Sequence, residues 1–216
     1  MSTIAIFGAT GRTGLPLVQK ALDAGHSVRA LVRNPQKMTI KHPKLTLIQG
    51  SSLDAAKVAE TVRGADGVIS TLGPDKNSPA DLQTRSTQLI INAMNQYDLR
   101  RLISLTGGGV RDETNDKPKF MDHAIVFIMK NIAGKGARNA LLDGINHADL
   151  IRRTNIDWTI VRGPVLTDDP AKGRYQVGYV GTVPGIKLTR ADLADFMLKA
   201  FEKKTHVRDM PFVTNG

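Results

Sequence analysis

Residues 3–24 restrict this chain more than any other stretch. An apolar run, Thr3-Ile4-Ala5-Ile6-Phe7, breaks into Gly8-Ala9-Thr10-Gly11-Arg12-Thr13-Gly14, after which Leu15, Val18 and Leu22 recur at helical spacing. Such a short, largely β-branched and aromatic run suits a strand buried on both faces, and the change of period marks a strand–turn–helix unit. Gly8 can take the tight turn out of the strand, Gly11 lets backbone approach a pyrophosphate because no Cβ stands in the way, and Gly14 lets helix and strand pack closely. Free N–H groups and the positive end of the helix dipole then face an anion. Three glycines in seven residues also occur in ordinary loops. The G-x-x-G-x-x-G spacing between a strand and a helix is what makes this one informative as a nucleotide-binding turn.

The alternation continues down the chain. Further strands are expected at 27–32, 45–49, 66–71, 101–105 and 157–162, separated by helical segments ending near 63 and spanning 79–97, 120–132 and 137–154. Strands alternating with helices predict an α/β fold, a Rossmann-type doubly wound parallel sheet in three αβα layers with right-handed crossovers. We expect a single domain over 1–216 with a small C-terminal substrate lobe, its substrate-side elements mainly in 107–136 and 164–188. Residues 111–119 read as a mobile loop, 173–181 as an edge strand or hairpin, and 207–213 as a last strand, while Thr189-Arg190-Ala191-Asp192 starts a helix. Phe127, Ile128 and Met129 are expected in the core or in a lid over the substrate. His147 is expected to be solvent-facing or a hydrogen-bonded structural residue.

In an open parallel sheet, ligands bind outside the carboxyl ends of the strands, so Gly8, Arg33, Ser51, Thr71, Leu72 and Thr106 should converge on one cleft. The end of the second strand selects the cofactor. A carboxylate there accepts the ribose hydroxyls of NAD, whereas a 2′-phosphate requires a cation. This chain has Arg33-Asn34-Pro35-Gln36-Lys37, with no acid in that run, so Arg33 is assigned to the 2′-phosphate of NADP, with Lys37 and Arg12 nearby. The alternative is that Arg33 only ends the strand at the surface. Ser51 and Leu53 should lie beside the adenine. Asp54 serves equally well as the cap of the helix that follows.

Composition narrows the chemistry. The absence of cysteine removes disulfides, thiolate catalysis and thiolate metal sites, and the five histidines show no paired ligand spacing, so no metal is expected. No stretch approaches the roughly 20 apolar residues of a membrane span, and Met1-Ser2 runs directly into a strand, so a cytoplasmic protein with no membrane partner is expected. The formal charge is +10, yet no run of five basic residues and no basic stripe interleaved with aromatics points to nucleic acid. No nucleic-acid partner is expected.

The N-terminal glycine motif, Val32-Arg33-Asn34-Pro35, Trp158-Thr159-Ile160-Val161-Arg162-Gly163-Pro164 and Thr189-Arg190-Ala191-Asp192-Leu193-Ala194 together resemble the atypical short-chain dehydrogenase/reductases. Within them the chain is similar to the NAD(P)H-binding group of flavin reductases and biliverdin-IXβ reductases and to NmrA-like proteins. The resemblance implies an extended NADPH, preferred over NADH, with Gly8, Thr10, Gly11, Arg12, Thr13 and Gly14 on the pyrophosphate. It puts Thr71, Leu72, Gly73, Thr106 and Pro164 around the nicotinamide end. It also implies reduction of a planar acceptor such as a flavin or quinone by a monomer or homodimer. The departures matter: no Tyr-x-x-x-Lys pair exists, its positions falling near Asn139 and Asp143, and Gly107 and Val165 stand where the reductases carry a serine and a histidine. No catalytic residue can be named. A non-catalytic NADP sensor is the alternative, and a sugar epimerase or dehydratase is disfavoured by the missing pair.

Overall fold

The computed structural model describes residues 1–75 and 77–216. Its centre is an eight-stranded sheet in the order β3 (Leu45–Gln49), β2 (Ser27–Val32), β1 (Thr3–Phe7), β4 (Gly67–Ser70), β5 (Arg101–Gly107), β6 (Asp157–Gly163), β10 (Phe212–Thr214), β8 (Gln176–Gly178). All pairings are parallel except β10 with β8, which makes the edge antiparallel. The expected Rossmann-type α/β fold is present. The first six strands run 3-2-1-4-5-6, which reverses direction between β1 and β4 and opens a crevice there at their carboxyl ends.

Alternation along β1 builds both sides of the core. Ile4 and Ile6 enter one apolar cluster, with α1 (Gly14–Asp23) and α6 (Arg190–Glu202), while Ala5 and Phe7 enter the other, with α2 (Ala55–Val62), α3 (Leu82–Gln96) and α5 (Gly134–Arg152). A strand covered on both faces must be apolar at every position, and the last four residues of β1 are all buried. Helix α6 begins where expected. The Thr189 hydroxyl accepts the Asp192 N–H at 3.1 Å and caps it.

Four features depart from the sequence reading. Residues 134–136 belong to α5, so the glycines expected to separate two helices lie inside its first turn. The final strand is shorter than expected, and β7 (Val165–Thr167) with β9 (Lys187–Thr189) forms a second, two-stranded parallel sheet that single-residue periodicity could not reveal at three residues a strand. Helix α4 (Phe120–Asn131) has no buried residue: Phe127 is 60% exposed and Ile128 45%, so neither is core.

Inside the 111–119 loop a buried ion pair ties the loop to the sheet. Arg162 on β6 donates to Asp116 Oδ2 at 2.7 Å and Oδ1 at 2.9 Å, and also to the carbonyls of Val110 and Met210. Asp116 accepts the Asp112 and Val180 N–H groups as well, and these bonds hold its carboxyl below the usual range against the burial that raises it. The loop expected to be mobile from its charge and proline is instead anchored by one of those charges.

Candidate functional site

A cleft of about 1060 Å³ lies at the carboxyl ends of the parallel strands. Gly8, Thr10, Gly11, Arg12, Thr13, Arg33, Ser51, Leu53, Thr71, Leu72, Gly73, Thr106 and Pro164 all line it. Gly14 does not. Its role is packing, because a Cβ there would lie 2.0 Å from the Gly8 carbonyl oxygen, so a side chain would force the turn apart.

The turn between β1 and α1 is held from two directions. Gly8 has φ +78°, and a Cβ on it would meet Thr71 Oγ1 at 2.8 Å. Thr71, leaving β4, donates its N–H to the Phe7 carbonyl at 2.9 Å and its hydroxyl to the Phe7 and Gly8 carbonyls. Gly11 N–H closes the turn on Gly8 O at 2.9 Å. Thr13 is the N-cap of α1 without a capping side-chain bond, and among the described residues the N–H groups of Thr10, Arg12 and Thr13 find no acceptor. No acidic side chain occupies the first turn either. Unpaired donors at a helix N-terminus, beside glycines that admit close approach, fit a dinucleotide pyrophosphate.

Toward β2 and β3 the lining becomes ionic. Arg33 follows β2 with 69% of its side chain exposed, and Lys37 lines the same end. The structure adds a neighbour that sequence reasoning missed: Arg33 Nη2 donates to Asp75 Oδ2 at 2.6 Å. Asp75 Oδ1 also accepts the Asn77 N–H, and these contacts, led by Arg33, hold its carboxyl below the usual range. The acid comes from the loop after β4, 42 residues away, so no pattern around Arg33 could show it. Ser51 Oγ accepts the Leu53 N–H at 3.1 Å and fixes the loop that presents both residues. Asp54 is the N-cap of α2, bonded to the N–H groups of Ala56 and Lys57.

The floor is set by Gln83, a buried residue the sequence did not single out. Its side chain donates to the carbonyls of Leu72 at 2.7 Å and Leu105 at 3.1 Å, joining the ends of β4 and β5 under the cleft. Asp143 on α5 holds Gln83 in turn, accepting its N–H at 2.8 Å and both the N–H and hydroxyl of Thr84. Asp143 occupies the place assigned to the lysine of a Tyr-x-x-x-Lys pair and is buried, whereas Asn139, at the tyrosine's place, is exposed.

At the far end the lining is Thr106, Gly107, Val110, Met129, Leu141, Gly163, Pro164 and Leu166. Nothing lies within 4 Å of a Cβ built on Gly107, and Val165 is 63% exposed and outside the lining. Thr106 Oγ1 is buried without a partner, against Gly144 of α5, where a Cβ would lie 2.8 Å from it. His147 sits one layer below, buried between Thr87 Oγ1 at 2.8 Å and Ser104 Oγ at 3.2 Å, and burial pushes its pKa down to about 4. It is the hydrogen-bonded structural histidine of the two readings. Arg12 and Arg190 share Asp168, at 3.1 and 2.9 Å, and Arg190 also donates to the Leu166 carbonyl, so the segment after β6 is tied to the turn between β1 and α1.

The profile of a family described as NAD(P)H-binding matches residues 8–204. The chain belongs to this NAD(P)H-binding family. The Bacillus subtilis protein YwnB is 25% identical over 217 residues, covering 94% of this chain and 93% of its own. Cinnamoyl-CoA reductase 1 of Petunia hybrida is 29% identical over 128 residues, 54% of this chain, and the match spans only 38% of that enzyme's length. Among solved structures, a candidate NADH-flavin reductase from Streptococcus pneumoniae shares the fold over the full length of both chains, with a TM-score of 0.79 at 19% identity. The family supports a nicotinamide cofactor as the ligand of this chain. No described helix is long and apolar enough to cross a membrane.

Proposed function

We propose that the protein is an NADPH-dependent reductase of a planar acceptor such as a flavin or quinone. The observation that carries this reading is the division of the cleft. Its ionisable lining residues among those described are Arg12, Arg33, Lys37, Asp75 and Arg190, of which Arg33, Lys37 and Asp75 stand on the β2 side and Arg190 is tied to Leu166 of the far end. Apart from Thr106 and the Arg190 guanidinium, the far end offers glycine, proline and aliphatic surface suited to a flat ring, with no carboxylate, imidazole, phenol or amine among the described residues.

Bound NADPH supplies a hydride from its nicotinamide ring. The protein's part is then to bind and orient. The turn N–H groups hold the pyrophosphate, Arg33 holds the 2′-phosphate, Ser51 and Leu53 flank the adenine, and Gln83 fixes the two carbonyl ends beneath the ring. Gly107 leaves room for the acceptor to lie close. Orientation alone can supply a large share of such a rate, because the acceptor takes its proton from water and no side chain must titrate. Alcohol chemistry is disfavoured, since Asp143 is committed to Gln83 and Thr84 where a lysine would have to act.

The same lack of an acid or base favours one other reading, a cofactor-binding sensor without turnover. NADPH oxidation followed against flavins, quinones and tetrapyrroles separates the two. Oxidation with at least one acceptor supports the reductase, and tight cofactor binding without oxidation supports the sensor.

A further inference from the structure

Helix α4 is a formed helix with an apolar face that nothing in the fold covers. Met121, Ile125, Ile128 and Ile132 follow one another at i, i+4, i+7 and i+11, which places them in one line, and they are 45–67% exposed. Phe120 and Phe127 stand beside that line at 86% and 60% exposure. The helix turns only its opposite side inward, where Val126 and Met129 approach Gly109. Six such side chains form a patch on the order of 600 Å², at the upper end of what a soluble monomer carries without a purpose.

The charges around the patch decide what it meets. Residues 117–138 contain Lys117, Lys119, Lys130, Lys135 and Arg138 against one acid, Asp122, a balance of five minus one or +4. That acid is engaged at the helix start, where its Oδ2 accepts the Lys119 N–H at 2.8 Å. Cations therefore precede and follow the apolar line along the chain. A second copy seated on this face would set two such +4 segments against each other, on bodies that already carry +10 each. An anionic lipid surface answers both features at once, accepting the apolar side chains at the headgroup boundary and the lysines among its phosphates.

We infer that α4 is an interfacial helix that docks the protein reversibly on anionic phospholipid, lying in the surface without spanning it. The expectation of no membrane partner rested on the lack of a spanning segment, and this mode needs none. The inference is independent of the reductase reading.

The test is co-sedimentation of the full chain with phosphatidylcholine vesicles and with vesicles about one-third phosphatidylglycerol. Binding to the anionic vesicles is expected to exceed binding to the neutral ones by at least about tenfold, and to fall several-fold as salt is raised from about 0.1 to 1 M, where the screening length drops to about 3 Å. Ile125→Asp with Ile128→Asp alters only exposed positions and should cut binding by about tenfold or more. A second variant, Lys130→Glu with Lys135→Glu, leaves the apolar line intact and should remove the preference for anionic vesicles. The inference is overturned if the wild type binds neither vesicle, or if both variants partition like the wild type. A dimer by light scattering that the isoleucine variant dissociates would overturn it too, assigning the face to a second copy.

Discussion

Replacing Arg33 with alanine should lower the preference for NADPH over NADH by roughly five- to thirtyfold. A charge-assisted bond to a phosphate contributes on the order of 1.5–3 kcal/mol when well formed. Here the guanidinium is 69% exposed and already holds Asp75 at 2.6 Å. An exposed pair of that kind stabilises by about 0.2–1 kcal/mol, which the incoming phosphate must displace, leaving about 1–2 kcal/mol of net discrimination. Asp75 also repels a phosphate docked beside it. Asp75→Asn should therefore raise NADPH affinity about two- to fivefold and leave NADH nearly unchanged. Calorimetric titration of both cofactors into the wild type and the two variants reads these ratios directly. An Arg33 variant that keeps the wild-type ratio would refute the assignment of the 2′-phosphate. An Asp75 variant with weaker NADPH binding would refute the competition between carboxylate and phosphate.

Four further outcomes follow from the same geometry. Gly14→Ala forces a Cβ to 2.0 Å from the Gly8 carbonyl oxygen and should destabilise the chain by more than about 1 kcal/mol in urea while weakening NADPH binding. Asp116→Ala strands the fully buried Arg162 guanidinium and should cost about 3–5 kcal/mol of stability by the same assay. The folded protein keeps His147 neutral down to a pKa of about 4, whereas the unfolded chain protonates it near its ordinary 6.5; the unfolded state then binds more protons, so stability is full above about pH 6.5 and falls by roughly 2–3 kcal/mol toward pH 4, a loss that His147→Gln should reduce. Gly107→Leu faces open space, so it should leave the thermal midpoint within a few degrees while slowing acceptor reduction, and a large drop in that midpoint would show that the position is structural.

What the sequence reveals about this site follows the range of the interactions involved. The turn at Gly8, Gly11 and Gly14 is legible because its demands are local: a positive φ, a closed turn and a close helix approach each fall within seven residues. The convergence of Arg33, Ser51, Thr71 and Thr106 is legible because parallel topology brings strand ends together whatever the side chains are. Asp75, Gln83 and the Asp116–Arg162 pair are not legible, since each acts on a partner more than ten residues away and nothing in their own surroundings distinguishes them from surface polar residues. The core reading of Phe127 and Ile128 fails for a related reason, while Met129 lines the cleft. The apolar content of α4 predicts burial, but burial also needs an opposing surface, and the sheet has none left beyond α5.

The place of Asp143 bears on the chemistry most directly. In a dehydrogenase that works through a tyrosine, a neighbouring cation is needed to lower the phenol's pKa, so the residue four positions on must be a base with its charge free. Here that position holds an acid whose oxygens accept the N–H groups of Gln83 and Thr84 and the Thr84 hydroxyl. Gln83 in turn fixes the carbonyls of Leu72 and Leu105 at the mouth of the sheet. The position serves geometry: it holds the floor on which a ring can lie. Reduction of an acceptor that takes its proton from water is the chemistry such a floor can support, and its rate should stay nearly flat from about pH 6 to 8. A bell-shaped profile for the rate at saturating NADPH would require a titrating group in the cleft, and Thr106, Gly107 and Pro164 supply none.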